Sequence, residues 1–153
     1  MIRQQKQSLY SVYALLLFLY LTGCGEIVDY GTFHGHAMEH TIYDGDIIVI
    51  RAVEVEEITR GDIIAFQLDT QGDFTRRIIA LPNETIEIND GKIFIDGIRL
   101  AEPYTDSIPE NLELITLRAD QYFVLGDNRQ DGVDSIDFGP IQATDILGRV
   151  NKP

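Results

Sequence analysis

Residues 86–97 read IEINDGKIFIDG, and this stretch indicates how the chain folds. Apolar and polar residues alternate up to Asp90-Gly91, and a second short apolar run then leads to Asp96-Gly97. An Asp-Gly pair between two such runs is typical of a tight β-hairpin, because both turn residues must adopt positive φ angles. The stretch therefore predicts two consecutive hairpins within an antiparallel sheet.

Further short apolar runs lie on either side of these hairpins. We expect strands at residues 46–50 (DIIVI), 62–66 (DIIAF), 112–117 and 121–125. Residues 103–109 begin and end with proline, interrupt the strand pattern and are expected to form a surface loop. No window of the body shows a sustained 3.6-residue period. The sequence therefore predicts an all-β fold of many short strands, as a sandwich or a partly closed barrel.

The N-terminus has the pattern of a targeting segment. Residues 1–7 carry two positive charges, residues 9–21 are almost wholly apolar, and Leu-Thr-Gly-Cys follows at positions 21–24. This order is typical of a secretory signal. The last four residues resemble the bacterial lipoprotein box, in which Cys24 carries the lipid. The alternative is an uncleaved membrane helix, although ~13 apolar residues are shorter than a bilayer span. Either alternative places the body on the outer face of a bacterial cytoplasmic membrane.

The chain is strongly acidic. Its 25 Asp and Glu residues against 12 Lys and Arg residues give a formal net charge of -13. So negative a surface repels phosphate backbones, which argues against a nucleic-acid partner, and it also disfavours docking on anionic lipids through basic patches. The single cysteine excludes an internal disulfide. We expect no cofactor.

Two stretches carry most of the functional information. Residues 126–139 read GDNRQDGVDSIDFG and residues 35–42 read GHAMEHTI; we call them the C-terminal block and the Ala37 segment. Two Gly-Asp pairs, which begin at positions 45 and 61, and the RIIALP segment at residues 77–82 lie between them. The order and spacing of these motifs resemble the type I signal peptidases. The resemblance implies two antiparallel sheets with a substrate groove along one edge.

The departures from the family pattern fall on the residues that carry its chemistry. In that family a serine hydroxyl attacks the peptide carbonyl and a neutral lysine accepts the proton. By the resemblance the serine position is Ala37, which has no hydroxyl, and the lysine position is Arg76, which stays protonated in proteins. The serine that orients the lysine falls at Gly132, the proline of the serine box at His40, and the arginine after Asp-Ser at Ile136.

Other residues match the family and are expected to frame the site rather than to react. In relatives the C-terminal block shapes the floor of the active site, and such a block can persist for the stability of the fold after activity has gone. The presence of these residues therefore argues for the scaffold and not for catalysis. The matched residues are Gly35, Met38, Arg77, Gly126, Asp127, Asn128, Arg129, Asp134 and Ser135.

The sequence consequently predicts a signal-peptidase-like protein that lacks the serine–lysine pair. Its expected organisation is a signal peptide or membrane anchor at residues 1–23, a linker or extended strand at residues 24–36, and a signal-peptidase-like β domain at residues 37–153. Its expected partners are the membrane, through the anchor, and an extended peptide or preprotein that adds a strand in the groove.

Two alternatives remain open at this point. The chain could be an active endopeptidase that uses other residues, although the mature part offers only two serines and two lysines, and Thr41 is expected to have a structural role. It could also be a surface lipoprotein that binds a metal ion through His34, His36 and His40, because His-x-His supplies two imidazoles on one side of a strand.

Overall fold

The structure is a computed structural model that describes residues 27–69 and 72–151. The expected targeting segment, with its apolar helix and the lipid-bearing Cys24, lies outside the described residues. Within them, no helix has both the length and the apolar character needed to cross a bilayer.

The described part of the chain forms eleven short strands and one helix of a single turn. Two 3₁₀ turns, Val55–Glu57 and Ala143–Asp145, lie in the connections. The strands are β1 (Ile27–Thr32), β2 (Ile47–Arg51), β3 (Ile63–Leu68), β4 (Gly72–Ala80), β5 (Thr85–Asn89), β6 (Lys92–Ile95), β7 (Ile98–Arg99), β8 (Leu112–Thr116), β9 (Gln121–Leu125), β10 (Ile141–Gln142) and β11 (Ile146–Asn151), and the helix is α1 (Ser135–Phe138).

These strands form two antiparallel sheets, as the sequence predicts. The larger has the order β1-β2-β11-β3-β4-β9-β10 and the smaller has the order β7-β6-β5-β8. Each order has two ends, so the expectation of a partly closed barrel gives way to two open sheets. The predicted hairpins are confirmed: β5 pairs with β6 and β6 with β7, and both residues of the first turn, Asp90 and Gly91, have positive φ.

The local patterns predicted most of the strands but missed β4 and β11. β4 was expected only as a motif and β11 not at all, yet both lie inside the larger sheet. The β4 residues Ile78 and Ile79 are fully buried in two different core clusters, one on each face. A strand covered on both faces needs no alternation of apolar and polar residues, so its sequence carries no period of two.

The hydrophobic core fixes the positions of β4 and of the segment that follows β1, and these two parts of the chain carry the candidate site. Residues 27–32, where the sequence indicated a linker or an extended strand, form the edge strand β1 on β2. The chain then enters a third core cluster with Phe33, Met38 and Ile42. This cluster fixes the Ala37 segment beside β4 and the C-terminal block.

Candidate functional site

The Ala37 segment folds into a tight turn that follows β1. The N–H groups of Thr41 and Ile42 both donate to the carbonyl of Met38, at 3.0 and 2.8 Å, and the Met38 side chain is fully buried. His40 has a φ of 83°, in the left-handed region. Proline has its φ fixed at about -65°, so the proline that the family resemblance implies here is incompatible with this turn.

The C-terminal block holds this turn from the opposite side. The backbone N–H of Asn128 donates to the carbonyl of Ala37 at 3.0 Å, and its side-chain amide donates to the carbonyl of His36 at 3.2 Å. A Cβ atom at Gly126 would lie only 2.6 Å from the Ala37 carbonyl oxygen. Glycine is therefore required at position 126 for the two segments to approach so closely.

Ala37, Arg76 and Gly132 meet at one point of the site. Arg76 lies in β4, and the other two residues lie in loops that reach it from different sides. A Cβ atom built on Gly132 would be 2.7 Å from the Cβ of Ala37 and 3.0 Å from Nη2 of Arg76. Gly132 also has a φ of 91°. A side chain at position 132 is thus opposed both by lack of space and by the backbone conformation.

Arg76 is a buried cation, and no carboxylate of the described residues contacts it directly. It is 6% exposed, and its Nε and Nη2 donate to the carbonyl of Val133 at 3.1 and 2.8 Å, while Nη1 donates to the carbonyl of Thr75 at 2.7 Å. Burial lowers the pKa of Arg76 from its ordinary value, and nearby aspartates oppose that shift. A guanidinium nevertheless stays protonated in proteins, so Arg76 cannot accept a proton from a nucleophile.

Arg77 follows Arg76 in β4 and, as adjacent strand residues do, points the opposite way. Its Nε and Nη2 donate to the carboxylate of Asp127 at 2.8 and 2.5 Å, and its Nη1 donates to the carbonyl of Gly61 at 2.8 Å. Asp127 is completely buried. The Thr41 hydroxyl donates to the same carboxylate. Thr41 thus has a structural role, as expected, and its hydroxyl bonds both members of the buried ion pair.

The rest of the C-terminal block is fixed by hydrogen bonds around α1. The Asp134 carboxylate accepts from the N–H of Ile136 at 3.0 Å, which caps the helix, and from the N–H of Gly126 at 3.2 Å. Burial raises the pKa of the Asp134 carboxyl. The hydroxyl of Ser135 accepts from the buried N–H of Val124 at 3.0 Å. These groups support the fold of the block.

The loop at residues 103–109 lies at the surface, as expected, and its inner side packs against the block. The Arg129 side chain is only 1% exposed, and it pairs with Glu102 just before this loop. The ring of Tyr104 lies 4.0 Å from the guanidinium carbon of Arg77, so it covers the buried ion pair. Sequence reasoning missed both contacts. An aromatic residue beside an acid in an irregular stretch was the available signal.

A cleft of about 680 Å³ opens over the point where Ala37, Arg76 and Gly132 meet. Along one wall run Asp29 and Thr32 of the edge strand β1. Edge strands present unpaired backbone N–H and C=O groups, which can pair with an extended chain. The cleft therefore lies beside a strand edge, and the side chains of Ala37 and Arg76 at its centre offer neither a hydroxyl nor a proton acceptor, although threonines and histidines line it elsewhere.

The three histidines do not form a metal centre. Nδ1 of His34 lies 3.7 Å from the Asp44 carboxylate, and Nδ1 of His36 lies 2.5 Å from the carboxylate of Glu39. The Glu39 hydrogen bond and charge raise the pKa of His36. Within residues 27–69 and 72–151, no three His, Cys, Asp or Glu side chains are placed to hold a metal ion. The metal-binding alternative therefore has no support.

The spare serines and lysines do not make a second catalytic pair in the described part of the chain. The Ser107 hydroxyl accepts from the N–H of Arg129 at 2.9 Å, and the Ser135 hydroxyl is committed to β9. Lys92 is exposed in β6 and lines a separate cavity on the smaller sheet. Lys152 lies outside the described residues.

Comparison with known proteins identifies this architecture. The family model described as signal peptidase, peptidase S26, matches residues 6–153. The chain is 31% identical to signal peptidase I of Bacillus licheniformis, over 66% of this chain and 62% of that protein. It is 24% identical to signal peptidase IB of Staphylococcus aureus (strain COL), over 92% of this chain and 84% of that protein. The crystal structure of a signal peptidase I from Enterococcus faecalis V583 superimposes with a TM-score of 0.56 and 29% identity, covering 64% of this chain and 98% of that one.

Proposed function

Because this chain belongs to the signal peptidase, peptidase S26, family, we propose that it is a catalytically inactive member that binds extended peptide segments. In this proposal residues 1–23 tether it to the outer face of a bacterial cytoplasmic membrane, through lipid on Cys24 or through a retained helix. It then acts on secretion by binding preproteins, or by regulating an active peptidase, rather than by cleavage.

One observation supports the proposal. The methyl group of Ala37 and the guanidinium of Arg76 lie side by side at the two positions where acyl transfer needs a nucleophile and a base. Ala37 has no atom that can form an acyl-enzyme. Arg76 is buried beside it, as the shared contacts at Gly132 indicate. The rest of the scaffold, including the edge strand β1 beside the cleft, keeps the features that peptide binding by strand addition needs.

The experiment measures cleavage and binding on the same protein. Full-length chain in a neutral detergent is incubated with a preprotein that an active signal peptidase cuts, and products are followed by mass spectrometry. The expected result is no cleavage, together with protection of β1 amide protons from hydrogen exchange when the preprotein is present. Cleavage by the unmodified protein would show that other residues carry an activity, and unchanged exchange in β1 would remove the binding role.

The Ala37→Ser, Arg76→Lys double variant is the matched comparison. It returns the hydroxyl and an amine whose pKa burial can lower, but it leaves Gly132 in place of the orienting serine. If the double variant cleaves while the unmodified protein does not, the loss of activity is traced to those two side chains.

A further inference from the structure

We infer that Arg76 binds the free C-terminal carboxylate of a peptide that lies in the cleft. This inference rests on the proposed peptide-binding function and specifies its ligand as a chain that ends at the altered centre. An uncut chain passing through the cleft offers only neutral amides at this point, whereas a released peptide offers an anion.

The guanidinium of Arg76 has N–H groups that are not used in hydrogen bonds to the described residues. Arginine carries five N–H groups, and the three nitrogens of Arg76 each give one hydrogen bond to the carbonyls of Val133 and Thr75. One N–H on Nη1 and one on Nη2 are thus left without a partner among the described residues. Nη2 lies close to Gly132, and both residues line the cleft. Two neighbouring N–H groups on one plane match the two oxygens of a carboxylate.

Within the described ranges no acidic side chain lies within 4.0 Å of Arg76. Its charge is supported at longer range by Asp134, Asp131 and Asp137, and its guanidinium carbon lies 5.5 Å from the centre of the Phe74 ring. Three exposed aspartates, Asp29, Asp73 and Asp131, line the same cleft. Because no carboxylate of the described residues contacts this buried cation, an anion that reaches it is favoured. The exposed aspartates are screened by water, and they disfavour acidic side chains along the rest of the bound peptide. A terminal carboxylate satisfies both conditions.

The space at the centre suits the end of a chain with small side chains. Ala37 contributes only a methyl group to the cleft lining, and Gly132 contributes no side chain. Gly35 and Ala65 also line the cleft. Alanine peptides are therefore the simplest probes that fit this lining.

The test compares N-acetyl-tetra-alanine as the free acid, the same peptide as the C-terminal amide, and N-acetyl-Ala-Asp-Ala-Ala amide. Each is titrated into full-length ¹⁵N-labelled protein in a neutral detergent, and the Nε–H signal of Arg76 reports binding. We expect the free acid to bind about tenfold more tightly than either amide, because it alone brings a carboxylate to the guanidinium.

Arg76→Gln removes the charge and is expected to reduce the acid-to-amide ratio to about one, judged from backbone amide signals near the cleft. Arg118→Gln is the control, because Arg118 is 68% exposed and pairs only with Asp120; it should leave the ratio unchanged. If Arg76→Gln does not fold, the comparison of the free acid with the two amides on the unmodified protein still tests whether the chain end is recognised.

Equal binding of acid and amide would overturn the inference and leave the proposed function standing. Equal binding of the acid and the internal aspartate peptide would likewise reject recognition of the chain end. If folded Arg76→Gln still prefers the free acid over the amide, a group other than Arg76 recognises the carboxylate. Failure of all three peptides to bind would count against the inference and the proposed function together.

Discussion

The substitution Arg77→Gln is expected to destabilise the fold much more than the loss of an ordinary surface charge. Arg77 is the only cation in the described structure that contacts the carboxylate of Asp127, and that carboxylate is completely buried. Glutamine is shorter and uncharged, so it leaves the carboxylate with the hydroxyl of Thr41 as its remaining side-chain donor.

The size of the effect follows from the burial of both partners. The Arg77 side chain is 10% exposed and that of Asp127 0%, and removing one partner of such a pair costs about 3–5 kcal/mol. Total stabilities of domains are about 5–15 kcal/mol, so the loss is a large fraction. With a urea slope of about 1–3 kcal/mol/M, the unfolding midpoint should fall by at least about 1 M.

Urea unfolding followed by circular dichroism measures this on the full-length chain in a neutral detergent. Arg118→Gln is the matched control, since its exposed pair with Asp120 is worth about 0–1 kcal/mol. Adding Asp127→Asn to Arg77→Gln should recover part of the loss, because it removes the orphaned charge. The reasoning is refuted if Arg77→Gln costs no more than Arg118→Gln, or if the double variant is no more stable than Arg77→Gln alone.

Three further predictions concern the Ala37 segment and its neighbours. His40→Pro should lower the free energy of unfolding by about 3 kcal/mol or more, because the φ of 83° is closed to proline, whereas His40→Gly should fold normally; thermal unfolding distinguishes the two. Gly132→Ser should lower the melting temperature through its contact with Ala37, and an unchanged melting temperature would contradict the close approach. Glu39→Gln should lower the pKa of His36 in an NMR titration. Because the folded-state pKa is raised, the stabilisation from this pair is present below pH about 6.5 and is lost as the pH rises through the folded-state value.

Local turn chemistry made part of the fold predictable from the sequence. The turn at Asp90-Gly91 needs only its own two residues, and the structure has the strands on either side in the expected register, with Ile88 opposite Ile93. The strand at Gln121–Leu125 was likewise predicted at its true bounds. The position of Ala37 beside Arg76 was expected only through the family resemblance, because no local pattern links two residues so far apart in the chain.

The remaining contacts could not be predicted because they depend on distant packing. Arg129 pairs with Glu102, and Arg77 contacts the ring of Tyr104. Both contacts require the segment between β7 and β8 to pack against the C-terminal block. Neither β4 nor β11 shows alternation or a turn signal that marks it as a strand. Their pairing depends on strands that are distant in the sequence, β3 and β9 for β4, and β2 and β3 for β11.

Under the proposed function, the physical roles of the residues explain how the fold can stay intact without the serine–lysine pair. Arg77 and Asp127 hold β4 to the C-terminal block, so losing either endangers the fold. Ala37 and Arg76 fit the same fold, where Arg76 donates to the carbonyls of Val133 and Thr75, so their presence is compatible with folding. Restoring the residues of the family one at a time is harder. A serine at position 37 beside Arg76 has no base to accept its proton, and a side chain at position 132 would collide with Ala37. Under the proposed function, each single reversal is therefore expected to leave the protein inactive, and Arg76 keeps a fixed positive charge at the centre.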